Sequence, residues 1–346
     1  MSDKTIFFQP AIAVDREIKP LLRYALGAAI IMTAAMALNY TLAYLTPVLA
    51  MGFLAPGIKA PTLKSSVGFL MVILVSSFTG FIFSRFFLDY PLVFIPLLIL
   101  IIFHIYYSAR LQQMKVWLII SLLVIPMVSM QSAQMGQLVA VNLFLNALLA
   151  MVLVGLVYFI FPENISGTII AKKPAPIALS AQQRFVAAGK QILVVAPLLI
   201  CFFVFNWKDM ILVLIFVAIL SMNPAAANKK LGLAIIAANL GGGLAAIVAF
   251  NLLTVVPNLF FMALITLLTG LLFGAGLFTG KPAAALFGTG FSTFLLILGN
   301  VTSFFGEAGE MVWSRIFQLG IVVVYIVVAF YVVNHFIPSE KIKNKV

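Results

Sequence analysis

Residues 138–161, LVAVNLFLNALLAMVLVGLVYFIF, run for 24 positions without a single charged side chain. A helix rises about 1.5 Å per residue, and the hydrocarbon core of a bilayer is about 30 Å thick, so roughly 20 apolar residues suffice to cross it. This stretch therefore reads as a membrane-spanning helix. The same reading, with runs broken at proline, glycine, asparagine and charge clusters, divides the chain into twelve apolar segments. They are 24–40, 42–56, 67–86, 91–108, 115–130, 138–161, 190–206, 209–223, 231–250, 257–275, 283–300 and 315–336. Composition agrees: 64% of the 346 residues are hydrophobic, 9% are charged, and mean hydropathy is +1.20. A soluble domain is about 45–50% apolar and about 25% charged. An ordinary soluble enzyme, a disordered chain and a nucleic-acid-binding domain are excluded. The expectation is an all-α polytopic membrane protein.

Charge gives that helix count a direction. The formal net charge is +12, from 21 Lys and Arg against 9 Asp and Glu. With the N-terminus in the cytoplasm, eighteen basic residues fall in inner segments, from Lys4 through Lys59, Lys64, Lys115, Arg184, Lys229 and Lys281 to Lys345. Only Arg85, Lys208 and Arg315 fall outside. An excess of Lys and Arg in short cytoplasmic loops is what orients membrane proteins. The bias favours twelve spans with both termini cytoplasmic. The alternative is ten spans with 42–56 and 209–223 re-entrant. The opening MSDKTIFFQPAIAVDREIKP has no apolar core before a small-residue cleavage site, so no cleaved signal peptide is expected. The single cysteine, Cys201, permits no internal disulfide and no cysteine metal cage.

The two halves are laid out alike. Arg23 opens the first span of one and Lys190 that of the other; Pro56 and Pro224 close the second spans; Pro91 and Pro257 open the fourth. Lys64 precedes Gly68 as Lys229 and Lys230 precede Gly232. These landmarks point to two parallel six-helix repeats, 23–162 and 190–338, because an even number of spans per unit preserves orientation. A cytoplasmic segment, 1–22, precedes them, a linker, 163–189, joins them, and a tail, 339–346, follows. The counterpart of the run Gly241-Gly242-Gly243 lies near Ser76, Ser77 and Gly80.

Chemistry-bearing residues are few. None of the nine acids lies mid-span, and no zinc-protease, phosphate-loop or serine-hydrolase motif is present. With short loops as well, no enzymatic activity, cofactor or metal is expected. His104 is the one titratable side chain well inside an apolar run. It reads either as a proton acceptor or anion contact, or as a neutral histidine bonded to a neighbouring helix. Tyr107 and then Arg110 follow at three-residue steps and share its face; Arg110 alone reads as a headgroup anchor. Asn142 and Asn146, four apart, form either a polar stripe along a substrate route or interhelical glue worth about 1 kcal/mol. Arg23 reads as a snorkelling anchor or a substrate contact. Segments 42–56 and 209–223 are short, and the first is interrupted by Pro47 and Gly52; paired short segments of this kind point to a transport site. The loop 301–314, with Glu307, Glu310 and the neighbouring Arg315, is the candidate surface for docking a partner.

The order of these features resembles the fusaric acid resistance and aromatic acid exporter family. The residues that carry the resemblance are Arg23-Tyr-Ala-Leu-Gly27, the short helix around Pro47, the hinge from Pro56 to Lys64, and a third helix bearing Gly68 and Gly80, echoed from Lys190 to Gly243. It covers 23–162 and, more weakly, 190–338; long members carry large cytoplasmic domains that this sequence lacks. The resemblance implies proton-driven export of small aromatic or hydrophobic organic anions through a bacterial inner membrane. It also implies a periplasmic membrane-fusion adaptor and often an outer-membrane channel. The expected partners are thus the lipid bilayer, the anion and the adaptor, without nucleic acid; a homo-oligomer stays open. A passive anion channel and a non-transporting scaffold for a periplasmic partner are the alternatives.

Overall fold

The computed structural model describes residues 11–39, 42–108, 115–162, 180–205, 207, 213–214, 217–218, 229–281 and 283–302, with separate positions between 317 and 335. Side chains at 11–17, 229–233, 235, 236 and 301 lie outside that description. Ten helices are delimited: α1 (Ala11–Ala37), α2 (Leu45–Leu54), α3 (Leu63–Phe87), α4 (Pro91–Tyr107), α5 (Lys115–Ser129), α6 (Ala133–Ile160), α7 (Ala181–Phe205), α8 (Lys229–Val255), α9 (Leu259–Leu277) and α10 (Ala284–Thr302). Among the described residues there is no strand.

Six stretches are long and apolar enough to cross a membrane: Ile18–Ala37, Leu63–Phe87, Ala133–Ile160, Ala181–Phe205, Ala237–Val255 and Leu259–Leu277. The other four helices are apolar and shorter. Large apolar side chains such as Phe78, Val152, Phe159 and Leu268 are exposed on the outside of the bundle. In water that surface would drive aggregation; in lipid it costs nothing. The chain is a multi-pass membrane protein.

Local chemistry explains where the helices start. Pro91 occupies the first turn of α4, where its missing N–H is no loss. Thr62, Ser132 and Asn258 cap α3, α6 and α9 by accepting from the backbone N–H of Ser65, Met135 and Phe260. Asn39 and Leu42, both with positive φ, turn the chain between α1 and α2. Several helices begin earlier than hydropathy indicates. α1 reaches back to Ala11 and α7 to Ala181, so Arg184 and Lys190, at the edge of the expected linker, are helical. Pro47 does not interrupt α2: it sits in the first turn, and the helix runs on through Gly52 to Leu54. At ten residues α2 is about 15 Å long, half a bilayer core.

Two helix pairs are packed antiparallel. α1 lies on α9, with Gly274 against Leu21 and Tyr24 and Gly270 against Ala25. α4 lies on α7, with Phe94 on Phe203 and Phe103 on Phe185. Two other pairs meet through glycine. Gly80 of α3 abuts the backbone carbonyl of Ser121 on α5, and Gly242 of α8 abuts that of Gly290 on α10. A side chain at either glycine would hold the backbones apart, which is the reason small residues line membrane helix contacts. The buried apolar side chains form two clusters. One joins α1, α2, α3, α6, α8, α9 and α10; the other joins α3, α4, α5, α7 and the side chains of Val213, Leu214, Val217, Ala218 and Val333.

Candidate functional site

The contacts place like ends of the helices together. The Lys115 ammonium, at the start of α5, donates to the Tyr106 carbonyl at the end of α4. The Tyr158 hydroxyl, near the end of α6, donates to the carbonyls of Phe53 and Ile58, where α2 ends. Phe69, early in α3, meets both Phe53 and Trp117. Arg23, Lys59, Lys64, Lys115 and Arg184 therefore gather at one end of the bundle, and the α1–α9 contact brings Lys281 there too. Arg85, at the far end of α3, lies opposite, beside Asp89. Asp89 is the one acid among the residues whose side chains are described.

Arg23 is the most enclosed described arginine, at 7% exposure. Its guanidinium carbon lies 4.5 Å above the ring of Tyr158, a cation–π contact worth about 2 kcal/mol when desolvated. Its Nε is buried without a hydrogen-bond partner. A buried guanidinium with a spare donor is suited to a carboxylate, which it can grip through two parallel hydrogen bonds. The aromatic row Phe53–Phe69–Trp117 continues from the segment that Tyr158 holds, with ring centroids 5.0 and 5.9 Å apart. The cation and the aromatic row are linked through Tyr158, at the end of a half-length helix.

Deeper in the bundle, the Thr46 hydroxyl donates to the Asn146 side-chain oxygen at 2.8 Å, both residues being fully buried. The Asn146 amide donates back to the Asn142 carbonyl, and the half-buried Asn142 side chain donates to the Leu138 carbonyl. Asn146 is thus a link between α2 and α6, whereas Asn142 bonds within its own helix. On the other side of the bundle the Thr293 hydroxyl donates to the Asn239 side-chain oxygen, joining α10 to α8. Neither threonine stands out in the sequence, since hydroxyls are common in membrane helices. Thr46→Val and Asn146→Ala are each expected to destabilise the protein by about 1 kcal/mol, and the double variant by less than the sum. Chemical or thermal denaturation of the four proteins in one detergent checks this.

The expected site residues fall into two groups. Asn146 meets Thr46, next to Pro47, where α6 crosses α2, with Asn142 one turn away on α6; Arg23 lies about three turns further along α6, at Tyr158. His104 is exposed near the end of α4, and Tyr107 lies beneath the guanidinium of Arg184. Arg110, Glu307, Glu310 and Arg315 lie outside the described residues. Tyr158, Thr46 and Arg184 complete the two groups and were not singled out by sequence reasoning. Among the described residues no group of His, Cys, Asp or Glu is disposed to hold a metal ion.

No curated protein and no solved structure matches the chain. Residues 20–160, from just before Arg23 to the end of α6, are similar to the family described as a protein of unknown function, DUF2955.

Proposed function

We propose that this protein is an inner-membrane exporter of small organic anions, aromatic carboxylates in particular, taken up at its basic, cytoplasmic end. The observation that carries the reading is Arg23, buried, stacked on Tyr158, with its Nε unpaired and an aromatic row linked to it through that tyrosine. A basic entrance concentrates anions before they bind. The resemblance to the aromatic acid exporters supports the same substrate class, a proton-gradient drive and a periplasmic adaptor that docks near Glu307, Glu310 and Arg315.

The architecture that goes with this proposal is twelve spans in two parallel repeats. Three features support it. α1 and α7, which open the two repeats, each pack on the fourth helix of the other, α9 and α4. The third and fifth helices of each repeat meet through a glycine against a carbonyl, at Gly80 and at Gly242. The α2 segment is a half-length helix followed by non-helical backbone at residues 58–62, the form that binding segments take in repeat-built transporters.

Cells making the protein are expected to retain less of a labelled aromatic carboxylate than cells without it, and to lose that difference when the proton gradient is collapsed. Equal accumulation over a panel of aromatic and hydrophobic carboxylates would overturn the proposal, and export that survives collapse would make the protein a passive channel. His104 is exposed, so His104→Ala is expected to cost export less than replacement of Arg23. The reverse order in the same assay would move the coupling group to α4.

A further inference from the structure

A second cationic group sits at the same end, on the other core cluster. The Arg184 guanidinium carbon lies 5.6 Å from the centre of the Tyr107 ring. Tyr107 is stacked on Phe103, with ring planes 5° apart, and Phe103 meets Phe185 edge-on. Phe185 is 59% exposed, and Val186 and Leu193 on the same helix are exposed as well, so this arrangement opens onto the apolar outer surface. Lys115 tethers itself to the carbonyl of Tyr106, the residue next to the Tyr107 on which Arg184 sits. Like that of Arg23, the Arg184 Nε is buried without a hydrogen-bond partner. Two cations held close together repel one another, and an anion between them removes that cost.

We infer that Arg184, Lys115 and Tyr107 form a binding site for the phosphate of an anionic membrane phospholipid. Phosphate matches the donor fork of a guanidinium. The position fixes the source: the cations lie at the basic end of the bundle, where the headgroup layer begins, and the exposed Phe185, Val186 and Leu193 give the acyl chains an apolar surface. This inference is independent of what the protein transports.

The test is native mass spectrometry of the full-length protein in detergent, titrated with phosphatidylglycerol, phosphatidylcholine or inorganic phosphate. Phosphatidylglycerol is expected to be retained in preference to phosphatidylcholine. One basic residue near the membrane surface contributes about 1 kcal/mol, so Arg184→Gln and Lys115→Gln are each expected to weaken retention about fivefold. Arg184→Lys keeps the charge and loses the planar fork, and is expected to fall between wild type and Arg184→Gln. Lys64→Gln, on the exposed start of α3, reports the effect of diffuse surface charge alone. An Arg184→Gln effect no larger than that of Lys64→Gln would overturn the site. Displacement of the lipid by inorganic phosphate at equal concentration would overturn its assignment to lipid.

Discussion

Gly242→Ala is expected to lower the thermal midpoint of the purified protein by about 2–4 °C, while Gly241→Ala, one residue earlier, leaves it unchanged or raises it slightly. The two glycines share a helix and a triplet but face different surroundings. A β-carbon at Gly241 would meet nothing within 4 Å, and one at Gly242 would collide with the Gly290 backbone of α10. Helix propensity favours alanine at both positions by about 1 kcal/mol. At Gly242 the clash is with backbone, which no rotamer change relieves, and overpacking of this kind costs about 1–3 kcal/mol and occasionally more. The clash outweighs propensity at one position and is absent at the other. Gly80→Ala, where the added carbon would sit 2.5 Å from the Ser121 carbonyl oxygen, is expected to behave like Gly242→Ala. Size-exclusion profiles of heated samples check all three; equal midpoints for Gly241→Ala and Gly242→Ala would mean that α8 and α10 do not meet at that glycine.

The second large effect is on transport. Arg23→Ala is expected to reduce export of an aromatic carboxylate at least tenfold, because a charge-assisted, bidentate contact is worth about 1.5–3 kcal/mol. Truncation also removes the cation from the Tyr158 ring, so a fall in activity alone is ambiguous. Arg23→Lys resolves it: the charge stays, the planar fork goes, and export is expected to fall while the thermal midpoint holds within a few degrees. Tyr158→Phe separates the two tasks of that tyrosine. The ring beneath Arg23 is kept, but the hydroxyl that fastens Phe53 and Ile58 is lost. That variant is expected to lose stability, by about 1 kcal/mol, before it loses affinity.

Much of the fold could be read along the chain because bilayer thickness and charge act locally. Pro91 and Pro257 mark the starts of α4 and α9, Pro56 and Pro162 lie just past the ends of α2 and α6, and the charged positions mark one end of the bundle. The pairing of helices could not be read in this way. α3, α6 and α8 are apolar on every face, so no periodicity shows which face meets a neighbour. For the same reason the spacing of Asn142 and Asn146 gives a shared face but not the partner: Thr46 is 100 positions away from Asn146, beside Pro47, whose own reading as a pathway residue says nothing of its neighbour. Tyr158 and Arg184 gain their meaning from the rings and carbonyls that packing brings to them. Arg184 falls in a stretch whose modest polarity reads as linker, because the first turns of α7 lie before the apolar run begins.

Export of an organic anion through a basic, cytoplasmic entrance is the central claim, and flux across a sealed membrane tests it most directly. The measurement is uptake of a radiolabelled aromatic carboxylate by proteoliposomes holding the purified protein, with an imposed proton gradient, beside liposomes holding Arg23→Lys. The account predicts uptake well above that of empty liposomes, dependence on the gradient, and a severalfold loss in the variant. Uptake no greater than in empty liposomes, with the protein folded and inserted, would contradict it.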